Sequence, residues 1–310
     1  MAEGSSPISE SVPDALNGER IDRVVSFITG ASRSVIAQCI KDGDVRRNGR
    51  KVNKGSEKVA SGDQIVIYSA SMFGSAEVKP DPEIQVPIVY EDEHFVVIDK
   101  PSGLVVHPAA SQKNRTMANG LLSLYPEIAS VGEPERPGIV HRLDKGTSGL
   151  LVAALSNESY LSLTAQLQHR TIERIYTALI IGSLEAEKGI VDAPLGRDPK
   201  NPVRRAVISN GKEARTRYEV IERFESPEYY TLVKCELETG RTHQIRAHFS
   251  AIGHPIAGDT LYGASNTPKY LSRPFLHSCS LAFQHPISAE LLRFTSEIPE
   301  ELQKILDMVQ

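Results

Sequence analysis

The stretch that decides the reading of this chain is His141-Arg142-Leu143-Asp144-Lys145-Gly146-Thr147-Ser148-Gly149, which runs directly into Leu150-Leu151-Val152-Ala153-Ala154-Leu155. One carboxylate stands between two cations, ahead of an apolar run. An extended segment alternates faces, so Arg142 and Asp144 share one side while Leu143 points to the other. Gly146 and Gly149, with Thr147 and Ser148 between them, predict a tight turn. A charged turn at the end of a buried strand is a common seat for catalytic groups. By spacing alone, a surface hairpin with a salt-bridged aspartate fits the same residues.

The 310 residues suit one large domain plus a small one, and 40% hydrophobic with 24% charged residues suits a globular protein. No apolar run reaches the roughly 18 residues of a transmembrane helix, so no membrane partner is expected. Met1–Asn17 carries Glu3, Glu10 and Asp14 but no Lys or Arg, unlike a signal or transit peptide. Residues 1–16 are therefore expected to be a disordered tail, and the location cytoplasmic. Cys39, Cys235 and Cys279 form no C-x-x-C pair, which predicts buried reduced thiols rather than structural zinc. His243 and His248 are five residues apart, not at the i, i+4 spacing of a helical zinc pair, so no metal is expected.

Charge is unevenly spread. The net charge is −4, yet residues 17–68 hold ten Lys/Arg against six Asp/Glu. Within that module, Ile21, Val24, Val25 and Ile28 mark an amphipathic helix. A second helix carries Ile36, Cys39 and Ile40, with Ser32 as its expected cap and Gly43 as its end. Asn48-Gly49 predicts a hairpin turn, and Ile65-Val66-Ile67 a short strand. Arg33, Arg46, Arg47, Arg50, Lys51 and Lys54 form the basic face, which by composition alone could equally be a solvated surface. Residues 70–83 look like a linker.

The second domain, residues 84–310, begins with Ile88–Leu104, two strands around an acidic turn and then Lys100-Pro101-Ser102-Gly103. Thr116–Tyr125 and Ser159–His169 predict helices, Ile175–Ile181 a strand, and Thr231–Leu237 a half-exposed strand. Asp192–Arg205 is a basic, proline-punctuated loop that could touch phosphates or simply face solvent. Thr242 is the expected cap of a helix with Ile245, Phe249 and Ile252 on its apolar stripe. Pro299 opens a last helix with Leu302, Ile305 and Leu306 inward.

His-Arg-Leu-Asp followed by Thr-Ser-Gly resembles the catalytic signature of the RluA/RluD-type pseudouridine synthases. Ile88–Leu104 resembles the first motif of that family. Thr239-Gly240-Arg241-Thr242-His243-Gln244-Ile245-Arg246-Ala247-His248 resembles the third motif, and Gly253–Ile256 and Gly258–Gly263 extend the likeness. The one departure in the signature is Gly146, where an acidic or polar residue is common. The basic module, taken as residues 17–69, resembles the RNA-binding domain first named for small-subunit ribosomal protein S-four.

The resemblance implies an α+β protein: a mixed, largely antiparallel-sheet catalytic domain plus a small α+β RNA-binding domain. It implies an isomerase that converts uridine to pseudouridine without cofactor, most readily in large-subunit ribosomal RNA, with transfer RNA as the alternative. Asp144 would be the catalytic carboxylate, Arg246 its ion-pair partner, and Tyr176 the tyrosine that stacks on the base. Ile245 would pack on the other side of the base, and Arg142 would fill the space the flipped uridine leaves. His141, Arg241 and His243 would lie at the substrate. A structured RNA is the expected partner of a monomer. A non-catalytic RNA-binding factor would not need Asp144, Tyr176 and Arg246 together. A carboxylate hydrolase would need a second carboxylate or an oxyanion-stabilising motif.

Overall fold

The computed structural model describes residues 7–29, 31, 33–68, 78–109, 112–201, 203–225, 229–263, 268 and 270–309, with Ala15, Arg33 and Ser34 described by backbone alone. The expected cap Ser32, most of the expected linker and the Arg33 side chain lie outside the described residues. Contacts divide the chain into two units, residues 1–79 with 133–137, and residues 80–132 with 138–310.

The first unit contains β1 (Ile8–Ser11), α1 (Ile21–Thr29), α2 (Arg33–Asp42), β2 (Val45–Arg47), β3 (Arg50–Lys51) and β4 (Gln64–Ile67). Its sheet runs β1-β4-β2-β3. Ile21, Val24 and Val25 of α1 are buried with Ile36 and Cys39 of α2 and with Ile65 and Ile67 of β4. The helical stripe and the strand alternation thus supply one core. Gly43 leaves α2 at φ 88°, and Asn48 and Gly49 turn at φ 49° and 77°, both positive as a two-residue hairpin turn requires. Residues 8–16 are not the disordered tail expected of them. Ile8–Ser11 pairs antiparallel with β4, and Asp14–Leu16 forms a 3-10 turn. Ile8 packs against the core and Val12 is buried in it, which offsets the entropy of ordering a polar stretch.

The second unit contains β5 (Ile88–Glu91), β6 (Phe95–Lys100), α3 (Met117–Leu124) and, after a hairpin of β7 (Gly132–Glu133) and β8 (Arg136–Pro137) that belongs to the first unit from residue 133 to 137, β9 (Ser148–Ala154), α4 (Asn157–Gln168), β10 (Glu173–Ile181), β11 (Lys188–Asp192), β12 (Leu195–Arg197), β13 (Arg205–Val207), β14 (Arg215–Phe224), β15 (Tyr230–Leu237), α5 (Gln244–Ala251), β16 (Leu276–Gln284), β17 (Leu291–Thr295) and α6 (Glu300–Val309). The nine-stranded sheet runs β11-β14-β15-β10-β16-β9-β6-β5, with β17 also on β16. Among the described residues only the β9–β16 pair is parallel, so the sheet is mixed and largely antiparallel. The protein is α+β. Every residue of β9 is buried, as its unbroken apolar run predicts.

The parallel pair sets the catalytic stretch in place. Ser278 of β16 aligns with Gly149, whose φ is 108°. A Cβ there would lie 2.2 Å from the Ser278 carbonyl oxygen, so only glycine lets β16 approach. Two loop expectations change. Asp192–Arg205 is not a plain loop, because β12 and β13 pair across it. Thr242 is not the cap of α5: His243 takes that place in the left-handed region at φ 56°, without a side-chain cap. Among the described residues, no helix is long and apolar enough to cross a membrane.

Candidate active site

Asp144 sits between the buried Leu143 and a turn closed by the Thr147 N–H donating to the Asp144 carbonyl at 3.0 Å. The following carbonyls are gripped from three sides. The Gly103 N–H donates to the Lys145 carbonyl at 2.7 Å. The Ser102 hydroxyl donates to the Gly146 carbonyl at 3.2 Å, and Arg273 Nη1 donates to the same oxygen at 3.1 Å. Arg273 Nη2 also donates to Ser148 Oγ at 3.1 Å and to Glu301 of α6 at 2.8 Å. These bonds tie the turn to the loop after β6 and to the C-terminal helix.

Lys100, at the end of β6, is fully buried behind this turn. Its Nζ donates to the carbonyls of Pro101 at 2.8 Å and Leu104 at 2.9 Å. Burial pushes its ammonium down to about 7; the Asp144 charge opposes that and Arg273 adds to it. The lysine is thus part of the scaffold under the catalytic turn.

Arg246 projects from α5 and donates through Nη1 to Asp144 Oδ2 at 3.1 Å. Its Nε and Nη2 donate to Asp259 at 2.6 and 2.9 Å. Side-chain exposure falls from 15% at Asp144 to 9% at Arg246 and 1% at Asp259, so the chain of charges runs inward. Burial works against the Arg246 charge, but the hydrogen bonds and charges of Asp259 and Asp144 outweigh it and hold its pKa above the ordinary value. Asp144 Oδ1 has no hydrogen bond among the described residues. The carboxylate is therefore held by one oxygen and free at the other.

The start of α5 explains how Arg246 is aimed. Gln244 accepts from the Arg241 N–H at 3.0 Å and from Thr239 Oγ1 at 2.7 Å. Its Nε2 donates to the Arg215 carbonyl at 2.9 Å and to Thr216 Oγ1 at 3.0 Å. One buried amide ties the first residue of α5 to the preceding loop and to β14. His248, one turn on, fits between Thr216 Oγ1 and the Ala193 carbonyl, both at 2.9 Å.

Tyr176 lies on β10 where a bulge shifts its register against β16. Such a bulge re-aims a side chain. Its phenol is buried; burial raises its pKa, Arg174 pulls it down, and the nearby Asp144 charge raises it further. Ile245 is 3% exposed, and Arg142 is exposed next to the buried Leu143. His243 stands with Nε2 3.9 Å from Asp144 Oδ2.

Two expected substrate residues are placed differently. The His141 ring turns into the fold, where Nε2 accepts the Val152 N–H of β9 at 3.1 Å. Burial, with Arg174 beside it, drives its pKa down to about 3, so it stays neutral and supports the turn. Arg241 is exposed and donates through Nε to the Glu213 carbonyl at 3.0 Å rather than to Asp144. In the first unit, Arg47 is tied to Asp63 at 2.6 Å and to the Lys58 carbonyl at 2.7 Å. Of the expected basic face, that leaves Arg46, Arg50, Lys51 and Lys54 exposed among the described side chains.

Sequence reasoning gave no role to Asp259, nor to Tyr262, which lies against Arg246. The Gly258–Gly263 motif was the available signal, but nothing in its spacing ties it to α5.

The match to known proteins agrees with this geometry. Residues 94–251 match the RNA pseudouridylate synthase family, and residues 19–65 match the S4 domain. The chain is 39% identical to ribosomal large subunit pseudouridine synthase D of Nitrosomonas europaea, covering 99% of this chain and 89% of that one. It is 41% identical to the protein of that name from Pseudomonas aeruginosa, over 96% and 94%. An uncharacterized RNA pseudouridine synthase of Bacillus subtilis is 40% identical over 93% of both chains. Human RNA pseudouridylate synthase domain containing 1 shares the fold, with a TM-score of 0.57 at 24% identity over 71% of this chain and 86% of that one. A shared signature, a shared fold and similarity along nearly the whole chain converge: the chain belongs to the RNA pseudouridylate synthase family, as an isomerase with an S4 domain ahead of its synthase domain.

Proposed function

We propose that this synthase modifies uridine in large-subunit ribosomal RNA in the cytoplasm, with Asp144 as its catalytic carboxylate. The observation that carries the catalytic assignment is the two-sided state of Asp144. Oδ2 is fixed by Arg246 at 3.1 Å, while Oδ1 has no hydrogen bond among the described residues. A pre-aimed carboxylate with one free oxygen suits attack on ribose C1′ or removal of the C2′ proton.

The reaction breaks the bond from uracil N1 to C1′ and forms one from C5 to C1′. The C5 proton leaves and N1 gains one, so no net oxidation occurs and no energy input is needed. A stacked uridine hides C1′, so the nucleotide must leave the stack. Arg142, exposed beside Asp144, is suited to hold the gap. Tyr176 and Ile245 would flank the base, with the Tyr176 phenol near the C5 proton. His243 would contact the nucleotide beside Asp144. Arg46, Arg50, Lys51 and Lys54 would contact phosphates.

Large-subunit RNA as substrate is supported by the full-length similarity to ribosomal large subunit pseudouridine synthases D. The test is to map pseudouridine in all RNA from cells with and without the gene. One or more large-subunit positions should revert to uridine and return when the gene is restored. Loss confined to transfer RNA would overturn the substrate assignment.

A further inference from the structure

Tyr262 is 3% exposed and gathers more charged neighbours than its place after Asp259 requires. The Arg246 guanidinium lies 5.1 Å from its ring centroid. So does that of Arg204, at 4.9 Å, from the turn between β12 and β13. The hydroxyl accepts the Arg205 N–H at 2.7 Å and lies 3.0 Å from His243 Nδ1. Burial lowers the pKa of His243, so its neutral form is favoured. The His243 ring thus stands between the Tyr262 hydroxyl at Nδ1 and Asp144 Oδ2, 3.9 Å from its Nε2. Two routes therefore run from the basic hairpin through Tyr262 to Asp144, one by way of Arg246 and one by way of His243.

At the outer end, the Arg204 side chain is 33% exposed, while its Nε is buried and has no hydrogen bond among the described residues, with Asp198 3.9 Å away. Nε is closed to solvent, but a partly exposed guanidinium held on an aromatic ring suits a phosphate oxygen at its terminal nitrogens. Arg197 and Lys200 lie on the same hairpin.

We propose that Tyr262 is a positioning residue for Asp144, and that Arg204 on its ring is a contact for an RNA phosphate. Backbone engagement at the hairpin is then read at the catalytic carboxylate. This rests on the reading of Asp144 as the catalytic carboxylate.

The test uses the full chain and its large-subunit RNA, with binding and single-turnover rate measured separately at saturating enzyme. Tyr262→Phe keeps the ring and loses the hydroxyl; it should bind RNA normally and turn over roughly 10- to 100-fold slower, the scale of a misaimed catalytic group. Arg204→Ala should weaken binding, lower the log–log salt slope by about 0.7–0.9, and also slow the saturated rate. In a Tyr262→Leu background, Arg204→Ala should leave the rate unchanged, because the link is already cut. Urea unfolding checks that each variant is folded. Equal rate losses from Arg204→Ala in both backgrounds, or a wild-type rate in folded Tyr262→Phe, would overturn the proposal. Wild-type turnover in Asp144→Asn would instead remove the reading beneath it.

Discussion

Arg246 meets Asp144 through a single nitrogen, Nη1 at 3.1 Å, because its other two nitrogens serve Asp259. The guanidinium is thus anchored deep and offered outward. Asp259 sets where Arg246 sits, and Arg246 sets where Asp144 points. This division separates residues that carry chemistry from residues that carry stability.

Asp144→Asn should abolish turnover and leave RNA affinity and unfolding stability close to wild type. Asparagine keeps size and can still accept from Arg246, but cannot attack C1′ or take a proton. Release of tritium from C5-labelled uridine RNA reports turnover, and filter binding reports affinity. A variant that turns over at the wild-type rate rules out Asp144 as the catalytic carboxylate.

Asp259→Ala should behave in the opposite way, losing stability first. Removing one member of a buried ion pair costs about 3–5 kcal/mol, because the partner charge stays behind. Urea unfolding would show the loss as a lower midpoint. Arg246→Lys should fold but turn over about 100-fold slower, since an ammonium cannot bridge two carboxylates as the planar fork does. Arg241→Ala should be mild by comparison. The reverse ranking of Arg241 and Arg246 would place the partner of Asp144 wrongly.

Lys100 should make stability rise with pH. Its ammonium is pushed down to about 7 in the fold, from an ordinary value of 10.5. Between those values the unfolded chain holds a proton that the folded chain has released. Raising pH through that window therefore adds stability, by at most about 1.4 kcal/mol per pH unit. Below about 7 both states are protonated and the burial penalty is full. Comparing wild type with Lys100→Met by urea unfolding at pH 6 and pH 9, the difference should move in favour of wild type at the higher pH. A difference that stays constant would show that Lys100 keeps its proton throughout.

Deleting residues 1–79 should leave a folded enzyme with weaker binding and poorer site choice, since residues 80–132 and 138–310 form a unit of their own. Losing two or three phosphate contacts should lower the log–log salt slope by roughly 2. Binding of one RNA across a salt series, for both proteins, gives the slopes. Identical slopes and affinities would mean that Arg46, Arg50, Lys51 and Lys54 only face solvent.

Some of this protein was legible in the chain itself. The spacing of Ile21, Val24 and Val25, the unbroken apolar run of β9 and the positive-φ pair Asn48-Gly49 are local signals, and each element formed where its pattern lay. The order of residues around Asp144, Tyr176 and Arg246 pointed to the family, because a reaction constrains which side chains stand in which order. What the tertiary structure alone decided are matters of direction and neighbourhood. His141 faces β9 rather than the open side of the turn, since burial of its ring outweighs its polar character. Ile8–Ser11 is a strand only because β4 offers an edge and a core to meet it. Asp259 lies thirteen residues beyond Arg246, past the end of α5, and no periodicity connects the two. Their pairing exists because the chain returns beneath the helix and leaves a buried guanidinium that two carboxylates must satisfy.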